Sequence, residues 1–307
     1  MKMFRKILRA FGHLRWIKTP LRSRIISRFD DPEDSKEEWF DVRFFGFKYR
    51  GNFASCLDWQ VYYFGAYAHE ELSLIKDVLC EYQEPVMLDV GGNCGHHSLF
   101  ASAFCKMVMV FEPYPVLYRQ ITQKMDDNGV QNVRLSKFGL GRTDEKLNFY
   151  PPADNHTGLG SFRVKTASQP IELKVRVGDL VVEEENLTAV DFIKIDVEGF
   201  EIDVIEGLAS TLESFRPTLF IEWSPASRDS LEGELLSEIL PPNYECYTFI
   251  DNSYTPVLKV FRRPSYALKK VSLDSAPISN LLIGPKEFFA RVLDNGRGKL
   301  GKRIEFG

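Results

Sequence analysis

The 307-residue chain is 44% hydrophobic, 27% charged and 13% aromatic, enough apolar mass for one large domain or two ordinary ones. These proportions exclude a disordered chain, a collagen and a small disulfide-stapled scaffold, and no stretch approaches the roughly 18 consecutive apolar residues of a membrane span. The net charge of −4 hides an asymmetry: residues 1–29 hold nine of the 39 basic residues and none of the 43 acidic ones, which leaves the remainder at −13, ill-suited to nucleic acid.

Residues 1–29 predict an amphipathic basic helix. Phe4, Ile7, Leu8, Phe11 and Leu14 fall on one stripe, with Lys2, Arg5, Lys6 and Arg9 on the other side. Such a helix either lies on an anionic membrane surface or packs on the body with its charges in solvent; a transit peptide is a third reading. Charges interrupt each apolar stretch, so it is not a secretory signal. The charged, Pro-containing run 30–38 (DDPEDSKEE) marks its boundary.

Residues 30–84 read as an N-terminal extension and cap. Val42–Tyr49 is aromatic-rich and strand-like, and helices are predicted over Asp58–Tyr67 and Glu70–Tyr82, with Leu72, Ile75 and Leu79 on one face. The five cysteines (Cys56, Cys80, Cys94, Cys105, Cys246) are odd in number and form no CxxC. Reduced thiols in a cytoplasmic protein follow.

From residue 85 short apolar strands alternate with helices. Strands are predicted over Val86–Val90, Met107–Phe111, Val133–Lys137, Phe192–Ile195, Thr218–Ile221, Cys246–Ile250 and Val257–Phe261. Helices are predicted over His97–Phe104, Val116–Asp127 and 229–240, and along the face Phe200, Val204, Leu208 and Leu212. Residues 142–177 look like β-hairpins with turns at Pro151–Pro152 and Gly158–Gly160. The alternation implies an α/β domain over 85–285, with a mostly parallel sheet and helices on both faces. A C-terminal tail, 286–307, follows.

The first of these strands runs into a glycine-rich turn and a helix: VMLDVGGNCG, 86–95. In an open α/β sheet, ligands bind beyond the carboxyl ends of the strands. Gly91, Gly92 and Gly95 clear side chains from the backbone there. A dinucleotide would need Gly-x-Gly-x-x-Gly, but Asn93 and His96 stand where the second and third glycines belong. Asp89, just before the turn, repels a pyrophosphate and favours a cationic, phosphate-free nucleoside such as S-adenosylmethionine. Glu112 ends the next strand, 23 residues after Asp89, where an acidic residue holds a ribose diol.

A second cluster follows in IKIDVEGFE, 193–201. Asp196 sits at a strand end, and a carboxylate on an apolar strand needs a purpose or a partner, for which Lys194 is the candidate. Glu198 and Glu201 are nearby; Glu201 is accounted for by the dipole of the next helix. Glu222 ends the following strand, so Glu112, Asp196 and Glu222 share the ligand-facing rim.

LDVGGNCGHHSLFA, VFEPYP, FIKIDVEGFEIDVIEGL and RPTLFIEW, in this order over about residues 86–223, resemble the FkbM-type methyltransferase family, as does WQVYYFGAYAHEEL (59–72) upstream. KIDVEGFE is the most specific of these motifs. Gly92 stands where the family often has alanine, an exchange expected to be harmless. The resemblance implies a class I (Rossmann-like) S-adenosylmethionine-dependent fold, with a seven-stranded sheet and an antiparallel last strand. It also implies O-methyl transfer, commonly to a hydroxyl of a sugar or polyketide-type natural product. Asp89, Gly91, Gly92, Asn93, Gly95 and Glu112 are the expected cofactor residues.

Methyl transfer to a weakly acidic hydroxyl gains from alignment and from a base. The candidate bases are Asp196, Glu198, His156 (in the polar loop DNHTGLGS), His96 and His97, with Asp196 first. Asp196, Glu198 and Glu222 offer oxygen ligands for Mg²⁺, but no Asp-Asp or Asp-Asn pair stands at the strand end and no metal is predicted. The alternatives are a noncatalytic cofactor-binding interaction protein and a nicotinamide dehydrogenase, which the failed dinucleotide pattern disfavours.

Overall fold

The computed structural model describes residues 2–152, 160–163, 165, 168–231, 235–251 and 266–293. Helices α1 (Lys2–Gly12) and α2 (Thr19–Ser27) precede a hairpin of β1 (Trp39–Phe44) and β2 (Phe47–Asn52), then α3 (Cys56–Phe64) and α4 (His69–Leu79). The strand-like run Val42–Tyr49 is therefore two strands, reversed at Phe45–Gly46, where both residues take positive φ, the geometry of a tight hairpin turn.

The core then alternates as the apolar pattern dictates. It runs β3 (Val86–Val90), α5 (His96–Ala101), β4 (Met107–Phe111), α6 (Pro115–Asn128) and β5 (Val133–Ser136). Three strands, β6 (Gly139–Gly141), β7 (Glu145–Phe149) and β8 (Ile171–Val177), form a separate small sheet in the order β6-β8-β7, with β6 parallel to β8. Within residues 142–177, β7 and β8 pair antiparallel as the predicted hairpin does, and β6, just before that range, adds a third strand. The predicted turn at 158–160 lies largely outside the described residues, as does the strand predicted at Val257–Phe261.

The chain continues through α7 (Gly178–Glu184), β9 (Phe192–Ile195), α8 (Glu201–Gly207), α9 (Ala209–Phe215), β10 (Thr218–Trp223), α10 (Pro225–Asp229), α11 (Leu236–Ile239), β11 (Tyr244–Asp251), β12 (Tyr266–Val271), β13 (Ser279–Pro285) and α12 (Lys286–Leu293). The single helix face predicted from Phe200 to Leu212 is broken into α8 and α9. Strand β6 crosses there, so closely that a Cβ on Gly207 would lie 1.9 Å from the Gly141 carbonyl oxygen. The helix predicted over 229–240 is two short ones.

The main sheet has eight strands in the order β12-β11-β13-β10-β9-β3-β4-β5. Strands β10, β9, β3, β4 and β5 pair in parallel, and β13 runs antiparallel to both neighbours. This is the class I order with its antiparallel strand, extended at one edge by β12, which pairs with β11 alone. Strand β3 is buried at all five positions, as a strand covered on both faces must be. Alternate residues feed two cores. Met87, Val108, Phe192 and Phe220 pack under the N-terminal helices and hairpin. Leu88, Met109, Ile193 and Ile221 pack under α7–α9. Each such side chain contributes roughly 1.5–3 kcal/mol by leaving water.

Helix α1 departs from its simple stripe. Leu8 is buried, but Phe4, Ile7 and Leu14 are exposed, and Arg5 turns inward. Its guanidinium forks onto both oxygens of Asp30 at 2.8 Å, reaches Glu38 at 2.5 Å and lies 3.8 Å over the Phe53 ring. The planar fork satisfies its donors inside, which an ammonium does less well.

Candidate functional site

The turn after β3 is set by backbone contacts. The N–H groups of Gly91 and Gly92 both donate to the Phe111 carbonyl of β4, at 3.0 and 3.2 Å. Gly91 has φ +82, and a Cβ there would lie 1.9 Å from the Asp196 carbonyl oxygen, so no other residue fits. Gly92 faces inward: a Cβ would come within 2.2 Å of Val110 Cγ1. The exchange with alanine expected to be harmless is not so in this chain, because Val110 is fully buried. Gly95, φ +81, opens α5 against Ile121.

Glu112 is 5% exposed and accepts from the backbone N–H of Asn93 at 2.8 Å and of Tyr114 at 2.9 Å. Burial pushes its pKa up to about 8, against those two donors. Each carboxylate oxygen keeps a lone pair for a hydroxyl. Asp89 is fully buried one step behind, where Ser98 donates to it and Lys194 Nζ lies 3.7 Å away. Of the expected cofactor residues, Gly91, Asn93 and Glu112 line a hollow beyond the strand ends; Asp89, Gly92 and Gly95 shape the turn from behind it.

Asp196, Glu198, Leu117, Phe149, Phe162 and Phe200 complete most of that hollow. Three carboxylates and no Lys, Arg or His line it, which suits a cation and opposes a pyrophosphate. Its aromatic side is a chain of contacts, Tyr114–Phe149, Phe149–Phe162 and Phe162–Phe200, with ring centroids 5.3–5.5 Å apart. Flat rings beside a carboxylate match an adenine and a ribose diol, so these residues fit an adenosyl cofactor.

Strand register builds the second half of the rim. Asp89 pairs with Lys194 across β3 and β9, and Lys194 pairs with Phe220 of β10. Two residues on, Asp196 and Glu222 project on the same face, and Glu222 pairs with Asn280 of β13. Asn280 Nδ2 donates at 2.8 Å to Glu71 of α4. A polar row, Asp196–Glu222–Asn280–Glu71, thus runs from the hollow across the sheet.

Lys194, 3% exposed, donates to Asp196 at 3.0 Å. Burial opposes its charge, but Asp196 and Asp89 outweigh that and raise its pKa. For Asp196, burial works upward, and Lys194 together with a hydrogen bond from Glu222 brings the pKa below the usual carboxylate range. Glu222 moves the other way, chiefly from the charge of Asp196 and then from burial. The two carboxyls therefore keep one proton, on Glu222, and leave Asp196 ionised. Glu198 and Glu71 are each pushed up to about 7, by burial first and Asp196 second. Asp196, Glu198 and Glu222 bring one oxygen each within 4.8 Å of one another, a donor set for a divalent cation. The Lys194 ammonium already occupies one side of Asp196.

His96 is 1% exposed among the rings of Phe44, Tyr49, Tyr67 and His97. Burial lowers the pKa of both His96 and His97 well below the ordinary value. His156 lies outside the described residues. Glu201 does more than complement a helix dipole. It accepts from the N–H of Val197 at 3.1 Å and of Gly199 at 3.2 Å, holding the loop that carries Glu198. Glu71 and Asn280 were missed. The signal for Glu71 was its place four residues before Ile75, a carboxylate on the buried side of α4.

The model of the methyltransferase FkbM domain matches residues 89–246. The chain belongs to this family. S-adenosylmethionine is the cofactor that this membership supports. Similar proteins include methyltransferase 1 of Beauveria bassiana, 28% identical over 166 residues (46% of this chain, 66% of that one). The hexuronic acid methyltransferase AglP of Haloferax volcanii is 31% identical over 145 residues (47% and 59%). The 2-O-methyltransferase NoeI of Sinorhizobium fredii is 26% identical over 181 residues (51% and 70%). The chain thus spans just under two thirds of the length of the first two. Among solved structures, the methyltransferase FkbM of Methylobacillus flagellatus superposes with a TM-score of 0.40 at 18% identity, over 65% of this chain and 43% of that one.

Proposed function

We propose that the protein is an S-adenosylmethionine-dependent O-methyltransferase of the cytoplasm, acting on a hydroxyl of a sugar, glycan or related natural product. The observation that carries this reading is the position of Asp196: it lines the cofactor hollow and also heads the polar row that leads away from it.

When bound, S-adenosylmethionine supplies an electrophilic methyl group. Glu112 would hold the ribose diol, with Gly91 and Asn93 beside it, and the carboxylates of the lining would favour the sulfonium charge. Asp196, kept ionised by Lys194, takes the proton of the acceptor hydroxyl. Glu222 retains its own proton and hydrogen-bonds Asp196, which fixes the carboxylate in place. Asn280, Glu71 and Glu198 offer donors and acceptors to the remaining hydroxyls. His156, outside the described residues, stays a candidate on its sequence alone. The names of AglP and NoeI support a sugar acceptor. The acidic row argues for a neutral hydroxyl as the reacting group, because a uronate carboxylate there would meet the charge of Asp196.

The test is transfer of labelled methyl from S-adenosylmethionine to neutral and uronic-acid glycosides, followed by mild alkali. An ether label that survives is expected. A label released by alkali would mean a methyl ester and would overturn the hydroxyl reading. Cofactor binding with no label on any acceptor would favour the interaction-protein alternative.

A further inference from the structure

Thirteen large apolar side chains are exposed among the described residues, and eight of them lie within residues 1–29. They are not scattered. Met3, Phe4 and Ile7 are exposed along α1, beside the buried Arg5 and Leu8. Leu21, Ile25 and Phe29 recur every fourth residue along α2 and just past its end, in the row next to the buried Arg22 and Ile26. Phe4 and Phe29 meet edge to face at 5.8 Å and join the two stripes into one surface.

The inner side of this pair is fixed to the body. Arg5 is held by Asp30 and Glu38, Arg22 donates to the Gly12 carbonyl, and Leu8 and Ile26 enter the main core. The outward side is rigidly presented, with Ile7 62% and Phe29 61% exposed. Lys6, Arg24 and Arg28 are exposed around it, and no acidic residue occurs before Asp30, whose oxygens already serve Arg5 and Tyr63. Apolar and aromatic groups ringed by cations on two helices match the headgroup boundary of an anionic bilayer. A two-fold contact with a second copy would instead set these cations against themselves.

We infer that the paired outer face of α1 and α2 is a docking surface for an anionic lipid bilayer, which would hold the methyltransferase body at the membrane. Residues 1–29 then act as a preformed two-helix plate; the membrane need not fold them. The inference is independent of the acceptor proposed above.

The test is sedimentation of the full chain with vesicles of equal parts phosphatidylcholine and phosphatidylglycerol, and with phosphatidylcholine alone. Binding is expected only to the anionic vesicles. It should weaken roughly tenfold or more in the Ile7→Glu/Ile25→Glu variant and, separately, in Arg24→Glu/Arg28→Glu, and fall with salt. Titration with S-adenosylmethionine reports folding, and both variants should bind it like the parent. Absence of binding by the parent, equal binding to both vesicle types, or undiminished binding by both variants would each overturn the inference. So would a parent dimer that Ile7→Glu dissociates, which would make the face a contact between copies.

Discussion

The two halves of the strand-end rim are built by different means. On the β3–β4 side, backbone shapes the rim: Gly91 clears a path, and Asn93 and Tyr114 lend their N–H groups to one buried carboxylate, Glu112. On the β9–β10 side, the rim is built of side chains from four separate elements, with Asp196, Glu222, Asn280 and Glu71 in a row. A backbone cradle suits a ligand that never changes. A row of side chains can be altered one residue at a time, which suits a variable acceptor.

That contrast can be broken by separating binding from turnover. The largest effect is expected for Asp196→Asn. Methyl transfer should fall about 10²–10⁴-fold, as for loss of a base, with calorimetric cofactor affinity little changed; equal loss of affinity would merge the two halves. Glu112→Gln should do the reverse, weakening cofactor binding roughly 10- to 100-fold through lost charge-assisted hydrogen bonds. Turnover at saturating cofactor should stay near the parent value. Gly92→Ala tests the packing behind the cradle. The added methyl must displace Val110, so the variant should lose about 1–3 kcal/mol in denaturant unfolding.

A smaller, pH-dependent effect sharpens the comparison. Glu112 at about 8 and Glu198 and Glu71 at about 7 hold protons near neutrality, because burial disfavours their charge. Acids raised in the folded state stabilise it fully below their ordinary value of 4.5, and that contribution is lost progressively as pH rises from there to about 7–8. The ligand-free melting temperature should therefore fall across this window. A sulfonium favours the ionised forms, so cofactor affinity should rise several-fold across the same window, more for S-adenosylmethionine than for its uncharged-sulfur product. A flat pH profile for both ligands would show that these carboxyls do not face the cation.

The legibility of the site follows the same division. Strands β3, β4 and β9 stand where their apolar runs place them, and the turn and Glu112 follow directly, because the relevant residues are local in the chain. Glu71 and Asn280 come from segments 209 residues apart, and only sheet order brings them together. The same holds for β6: its parallel pairing with β8 spans a long excursion, and its crossing over Gly207 splits a helix whose periodicity is unbroken. Arg5 was misplaced because a charge on a helix normally faces water; its partners Asp30 and Glu38 lie beyond the segment boundary.

Lys194 has a consequence for how this chain can change. One ammonium inside the sheet neutralises carboxylates on two strands, Asp89 at 3.7 Å and Asp196 at 3.0 Å. Removing Lys194 leaves two carboxylates without their counter-ion, at a cost on the order of 3–5 kcal/mol for a buried group, whereas removing either carboxylate leaves one neutral pair. Either carboxylate can therefore change alone, but a change at Lys194 must be matched at both strands that face it.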